Sequence, residues 1–88
     1  MKFSEAMLRG YAKVGGKQCF GKEKRVVGGR ILAYCPVGAA IRGGMSREDA
    51  TANNFAMRHV WGDTVVMLND HATLPWEHIY GMAVAADL

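Results

Sequence analysis

The sequence predicts a small α+β domain, mostly helical, with one short β-hairpin packed on the helices. Three observations predict it. Apolar residues recur at helical spacing in three separate stretches, a Gly-Gly pair sits between two β-forming pairs, and turn residues punctuate every junction. Eighty-eight residues fit a single globular domain spanning 1–88, since domains run from about 50 to about 250 residues. The composition, 50% hydrophobic and 22% charged, is too apolar for a disordered chain.

The first helix is predicted from Ser4, read as its N-cap, with Phe3 and Leu8 spaced as a hydrophobic staple. Met7, Tyr11 and Val14 then form one apolar stripe, and Gly15-Gly16 ends the helix. From Lys17 to Tyr34 the helical period is lost. Val26-Val27 and Ile31-Leu32 flank Gly28-Gly29, the pattern of a two-residue hairpin turn, and Gln18-Cys19-Phe20 is a candidate third strand turned by Gly21. Because an isolated hairpin is marginal in water, it is expected to lie on the helices.

Cys35 to Arg42 reads as a short helix with Pro36 at its first position and Gly43-Gly44 as its stop. Gly38 inside it costs up to about 1 kcal/mol relative to alanine, so a packing reason is expected, and the small residues 38–40 allow another element to approach closely. Ser46 to Asp49 has the shape of a capping box, opening a long helix with an apolar stripe of Ala52, Phe55, Ala56 and Val60, closed by Trp61 and Gly62. Asp63 is a candidate cap for Thr64 to Leu68, a run too short for periodicity to separate strand from helix. Residues 69–73 read as a loop by composition, and Pro75 opens a last helix with Trp76, Ile79, Tyr80 and Ala83 on one face. The expected core is Met7, Tyr11, Phe55, Val60, Trp76, Ile79 and Tyr80, with Trp61 sealing one end.

Function classes narrow next. No stretch approaches the roughly 18 apolar residues of a membrane span, and the first residues lack the apolar region of a secretory signal, so a cytoplasmic protein is expected. Cys19 and Cys35 are too few for a disulfide framework and match no zinc spacing; they read as buried thiols. Cys35 stands before a predicted helix start, a position that can lower a thiol pKa, but a thiolate enzyme also needs a histidine in reach, and His59, His71 and His78 lie far along the chain. Asp70, His71, Glu77 and His78 offer metal-ligating groups, yet Pro75 interrupts any helical pairing of the two histidines. None of the glycine pairs belongs to a dinucleotide or phosphate loop. No cofactor or metal is expected, and no catalytic residue is assigned.

The formal charge of +3 conceals a strong polarity. Residues 1–30 hold eight bases against two acids, whereas residues 59–88 hold four acids and no lysine or arginine. Such asymmetry speaks to association rather than to fold. The basic hairpin region supplies the candidate partner-binding residues: Lys17, Lys22, Lys24, Arg25 and Arg30. Interleaved with Phe20, these suit an acidic protein surface or a nucleic-acid backbone, while lysines on a strand edge also serve simply to block unwanted pairing. Asn69 and Asp70 form a second candidate, a loop site for a ligand or partner; as turn residues they also bond neighbouring backbone.

Three stretches carry a resemblance. Met1-Lys2-Phe3-Ser4-Glu5-Ala6, Cys35-Pro36-Val37-Gly38-Ala39-Ala40, and Leu68-Asn69-Asp70 followed by Trp76-Glu77-His78-Ile79 resemble a loose group of small uncharacterised phage and prophage proteins. In that group a C-x-x-G-A helix follows a K-x-S-E-A start, and an L-N-D loop precedes the final helix. The chain departs from the pattern at Leu74-Pro75-Trp76, where an earlier aromatic and a Thr or Ser cap are expected. The resemblance implies a phage-type genome and a small accessory protein, and brings no catalytic residues. The expected function is therefore a non-enzymatic binding protein that modulates or inhibits a host protein or complex by occupying its surface. A nucleic-acid-associated accessory protein using the same hairpin is the alternative; a small enzyme or metal protein stands third. Self-association through the acidic C-terminal third is a further expectation.

Overall fold

The computed structural model describes all 88 residues, in the order α1 (Phe3–Ala12), β1 (Lys24–Val27), β2 (Arg30–Tyr34), α2 (Pro36–Arg42), α3 (Arg47–Trp61), α4 (Val65–Asp70) and α5 (Trp76–Ala85). This is the expected small α+β fold: five helices and one antiparallel hairpin. No helix is long and apolar enough to cross a membrane.

α1 buries Phe3, Ala6, Met7, Gly10 and Tyr11, a repeat of one face at helical spacing. Its start differs from expectation. Lys2 occupies the N-cap position, and Ser4 lies inside the first turn, buried, with its amide bonded to the Leu88 carbonyl at 3.1 Å. Residues 87–88 fold across this terminus and supply the acceptor that a serine cap was expected to give; Leu88 packs against the core there, and an exposed ion pair joins Lys2 to Asp87. Phe3 therefore enters the core rather than stapling to Leu8, which stays exposed.

α1 and α2 meet backbone to backbone. A Cβ on Gly10 would stand 1.7 Å from the Ala39 oxygen, and one on Gly43 would stand 1.8 Å from the Ala6 oxygen. α2 begins as expected, with Pro36 at its first turn and the Cys35 sulfur accepting from the Gly38 amide at 3.4 Å. Gly38 has its packing reason, because a Cβ there would lie 2.4 Å from the Glu23 oxygen.

The hairpin turns on Gly28-Gly29, with φ of 57° and 77°, the left-handed values a two-residue type I′ turn demands. Pairing runs Val27↔Arg30 and Val26↔Ile31, then slips so that Leu32 is an extra residue opposite Arg25↔Ala33. Only the root of the hairpin lies on the helices. Ala33 and Tyr34 are buried, while β1 and the first residues of β2 are exposed, with Lys24 and Ile31 bordering a groove against Ile41, Arg42 and Arg47. The candidate third strand reduces to one parallel bridge, Gln18↔Tyr34, which fixes the root through Cys19 N–H to the Tyr34 carbonyl (3.0 Å) and Tyr34 N–H to the Lys17 carbonyl (3.1 Å). The Tyr11 hydroxyl donates to that same Tyr34 carbonyl at 2.9 Å.

α3 is capped by Ser46 as expected, its hydroxyl accepting from the Asp49 amide at 3.1 Å, and it ends at Gly62. Its inner face corrects the expectation. Ala50, Asn54 and Met57 point inward, whereas Phe55 and Val60 are each 54% exposed and belong to no core. The inward face combines the fully buried Ala50 and Met57 with a polar contact: the Asn54 side-chain oxygen accepts from the Val66 amide at 2.9 Å, satisfying the first turn of α4. Trp61, 44% exposed, leans on α5 through its indole N–H to the Met82 carbonyl (3.1 Å) instead of sealing the core.

α4 is helical and is capped by Thr64, not Asp63; the Thr64 hydroxyl accepts from the Met67 amide at 3.2 Å. α5 follows Pro75 and buries Ile79 and Ala83. Trp76 stacks on Tyr11 with ring centroids 4.4 Å apart, and Tyr80 meets Trp76 edge-on. The core is thus Phe3, Met7, Tyr11, Met57, Val65 and Ile79 with small residues between them.

Candidate functional site

The hairpin presents bases that nothing inside the molecule neutralises. Lys17, Lys22, Lys24, Arg25 and Arg30 are all exposed, and none belongs to the three ion pairs, which are Lys2–Asp87, Arg9–Glu5 and Arg47–Glu23. Glu23, the one acid among them, is withdrawn to α3, where the Arg47 guanidinium grips both its oxygens at 2.6 and 3.1 Å. That hydrogen-bonded pairing holds the Glu23 carboxyl below the usual carboxylate range. Beside the bases, Val26, Val27 and Ile31 are 50%, 51% and 38% exposed, with Val26 and Ile31 directly paired across the strands. Phe20 is also exposed, lower down near the root.

Asn69 and Asp70 are not in a loop. They form the last turn of α4, and Asn69 is fully buried. Each is bonded to the segment leading into the hairpin: Asn69 Nδ2 donates to the Cys19 carbonyl at 3.0 Å and to Asp70 Oδ1 at 2.8 Å, and Asp70 Oδ1 accepts from the Gly21 amide at 2.8 Å. Gln18 completes the network. Its amide nitrogen donates to Asn69 Oδ1 (2.6 Å) and to the Leu74 carbonyl (2.9 Å), and its oxygen accepts from the Trp76 amide (2.8 Å). No buried side-chain polar atom lacks a partner, so Asn69 is spent on holding the hairpin root. Sequence reasoning missed Gln18, because a lone glutamine in an irregular stretch carries no local signal.

A cleft of about 220 Å³ opens beside this root, lined by Lys22, Cys35, Pro36, Val65, Val66 and Asp70 among others. It joins the two predicted sites at one point, Lys22 beside Asn69 and Asp70. Lys17, Lys24, Arg25 and Arg30 do not line it. Cys19 and Cys35 are both free and buried, and burial pushes both thiols up from their ordinary value, which favours the protonated, unreactive form. No histidine lines the cleft. Asp70, His71, Glu77 and His78 do not converge either; nowhere do three His, Cys, Asp or Glu side chains meet closely enough to hold a metal ion.

No protein-family model, curated protein or solved structure matches this chain.

Proposed function

We infer that this protein is a non-enzymatic binding protein whose contact element is the basic hairpin, engaging an acidic, partly apolar surface of another protein. The observation that carries this reading is the pairing of unneutralised bases with exposed aliphatics on one pre-formed projection. Lysines that merely guard a strand edge do not need Val26, Val27 and Ile31 in water beside them, whereas a contact surface combines an apolar centre with a charged rim. The two-residue turn and the Gln18–Asn69–Asp70 network hold the projection in shape before binding, which lowers the entropy lost on contact. The resemblance to phage and prophage accessory proteins supports a host protein or complex as the partner, occupied rather than modified, and a cytoplasmic place of action.

Nucleic acid is the second reading, favoured by the same free bases and by exposed Phe20 as a stacking surface. Three aliphatics at the tip weigh against it.

Retention of partners from bacterial lysate, with and without nuclease, tests both. Wild-type protein is expected to hold a defined host protein after nuclease, and the variant K22E/K24E/R25E to lose it with thermal stability nearly unchanged. Full capture by that variant removes the hairpin from the account. Capture that disappears with nuclease transfers the hairpin to nucleic acid.

A further inference from the structure

Gly81 is the one glycine for which the molecule itself gives no reason. The others divide in two. Gly10, Gly38 and Gly43 lie against backbone that leaves no room for a Cβ, and the remainder adopt positive φ. Gly81 sits in the interior of α5 with ordinary helical φ, and a Cβ there would meet nothing within 4 Å. Glycine is the poorest helix former after proline, so an uncompensated one points to something that approaches from outside.

Gly81 faces a cleft of about 300 Å³ between the end of α3 and α5, lined by Trp61, Glu77, His78, Gly81, Met82 and Ala85. It is a shallow, open depression in which Gly81 and Ala85 contribute little or no side chain, Trp61 and Met82 are the large apolar groups, and Glu77 is the acid. That carboxylate has no ion-pair partner, and no lysine or arginine lines the cleft.

We propose that this cleft receives the hairpin tip of a second copy of the chain. The tip is complementary in three respects. Gly28-Gly29 carry no side chains, so the backbone of the turn can come close to Gly81 and Ala85. Val26 and Val27, half exposed beside the turn, supply apolar surface for Trp61 and Met82. Arg25 and Arg30 are cations without partners, set against an acid without one. Hairpin and cleft are different surfaces, so the contact is head-to-tail: each addition leaves one hairpin and one cleft free, and the product is a chain of copies rather than a closed pair. A hairpin tip covers far less than the roughly 1,200 Å² of a stable interface, so the association is weak and salt-sensitive. The inference rests on the hairpin being a contact element, and it makes self-association and partner binding compete for it.

Sedimentation of the purified protein from about 10 µM to about 1 mM tests it. The average mass is expected to climb with concentration and to fall back to monomer at roughly 0.5 M salt. R25E/R30E and E77K should each remain monomeric alone. Mixed, they should associate again, because the intact hairpin of E77K meets the intact cleft of R25E/R30E and the reversed hairpin and reversed cleft again carry opposite charges. G81A should raise Tm by a few degrees, as alanine replaces a helical glycine, while weakening association about tenfold or more. A protein that stays monomeric throughout, or association untouched by E77K and G81A, overturns the proposal. Host-protein capture by a strictly monomeric protein would leave the hairpin's role standing while this inference falls. Self-association without any host partner would do the reverse.

Discussion

α1 and α3 are attached to the rest of the molecule by different means. α1 is held by apolar burial and by backbone contact with α2, closed at Gly10 and Gly43. α3 buries one large apolar residue, Met57, with the small Ala50, and its other ties are polar side chains: Asn54 reaches the first turn of α4 and Arg47 reaches Glu23 at the hairpin root. Its more apolar side, with Phe55 and Val60, faces water. A helix that joins by packing must spend its hydrophobic face inward. One anchored by a single large buried side chain and a few hydrogen bonds leaves the rest of its apolar residues outside, where partners can reach them.

The contrast breaks hardest at Gly10. G10A places a methyl 1.7 Å from the Ala39 carbonyl oxygen, a backbone atom that cannot move without separating α1 from α2. We expect a loss of roughly 3 kcal/mol or more, enough to leave much of the chain unfolded in a denaturant melt at room temperature. A near-native melting curve would show that the seam is looser than this geometry requires.

On α3 the comparison sharpens within two residues. M57A empties a fully buried site and should cost about 2–5 kcal/mol, whereas F55A, removing the larger side chain, should change stability by no more than about 0.5 kcal/mol. Equal losses would mean that Phe55 is covered in solution. Between these lies N54A, expected to cost about 1–2 kcal/mol by leaving the Val66 amide without its acceptor; faster hydrogen exchange at the start of α4 reads that bond specifically.

How much of this was legible follows the same division. α1, the Gly28-Gly29 turn and the Pro36 helix start were readable because each is decided by neighbours in sequence: a periodic stripe, two residues able to take positive φ, a proline where no amide is needed. The facing of α3 was not. Its stripe of Ala52, Phe55, Ala56 and Val60 is a regular amphipathic pattern, but the face that turns inward carries Ala50, Met57 and an asparagine whose acceptor serves an amide twelve residues away. Likewise the bases of the hairpin were readable as candidates. That Asn69 and Asp70 anchor its root was not, since their partners lie about fifty residues earlier and Gln18 advertises nothing locally. For Trp61 the local pattern suits a seal for the core, and nothing near it in sequence signals that it borders an open cleft with Gly81.

The smallest expected effect concerns Arg47, at the first turn of α3. Its bond to Glu23 is the link between that helix and the hairpin, and the direction of the Glu23 shift fixes how the link depends on pH. Because the folded carboxyl titrates below its unfolded value, the contribution of the pair is complete above the unfolded pKa and disappears as pH falls through the lower, folded one. R47A should let the Glu23 carboxyl rise toward the ordinary range in an NMR titration and flatten that part of the acid limb of stability, with little change at neutral pH, since exposed pairs are well screened. α1 offers a control: G10S or G10A disturbs the molecule without moving the Glu23 titration in whatever fraction stays folded. If R47A leaves the Glu23 titration where it was, the hairpin is held by its root network alone, and α3 is joined to it only through α2 and α4.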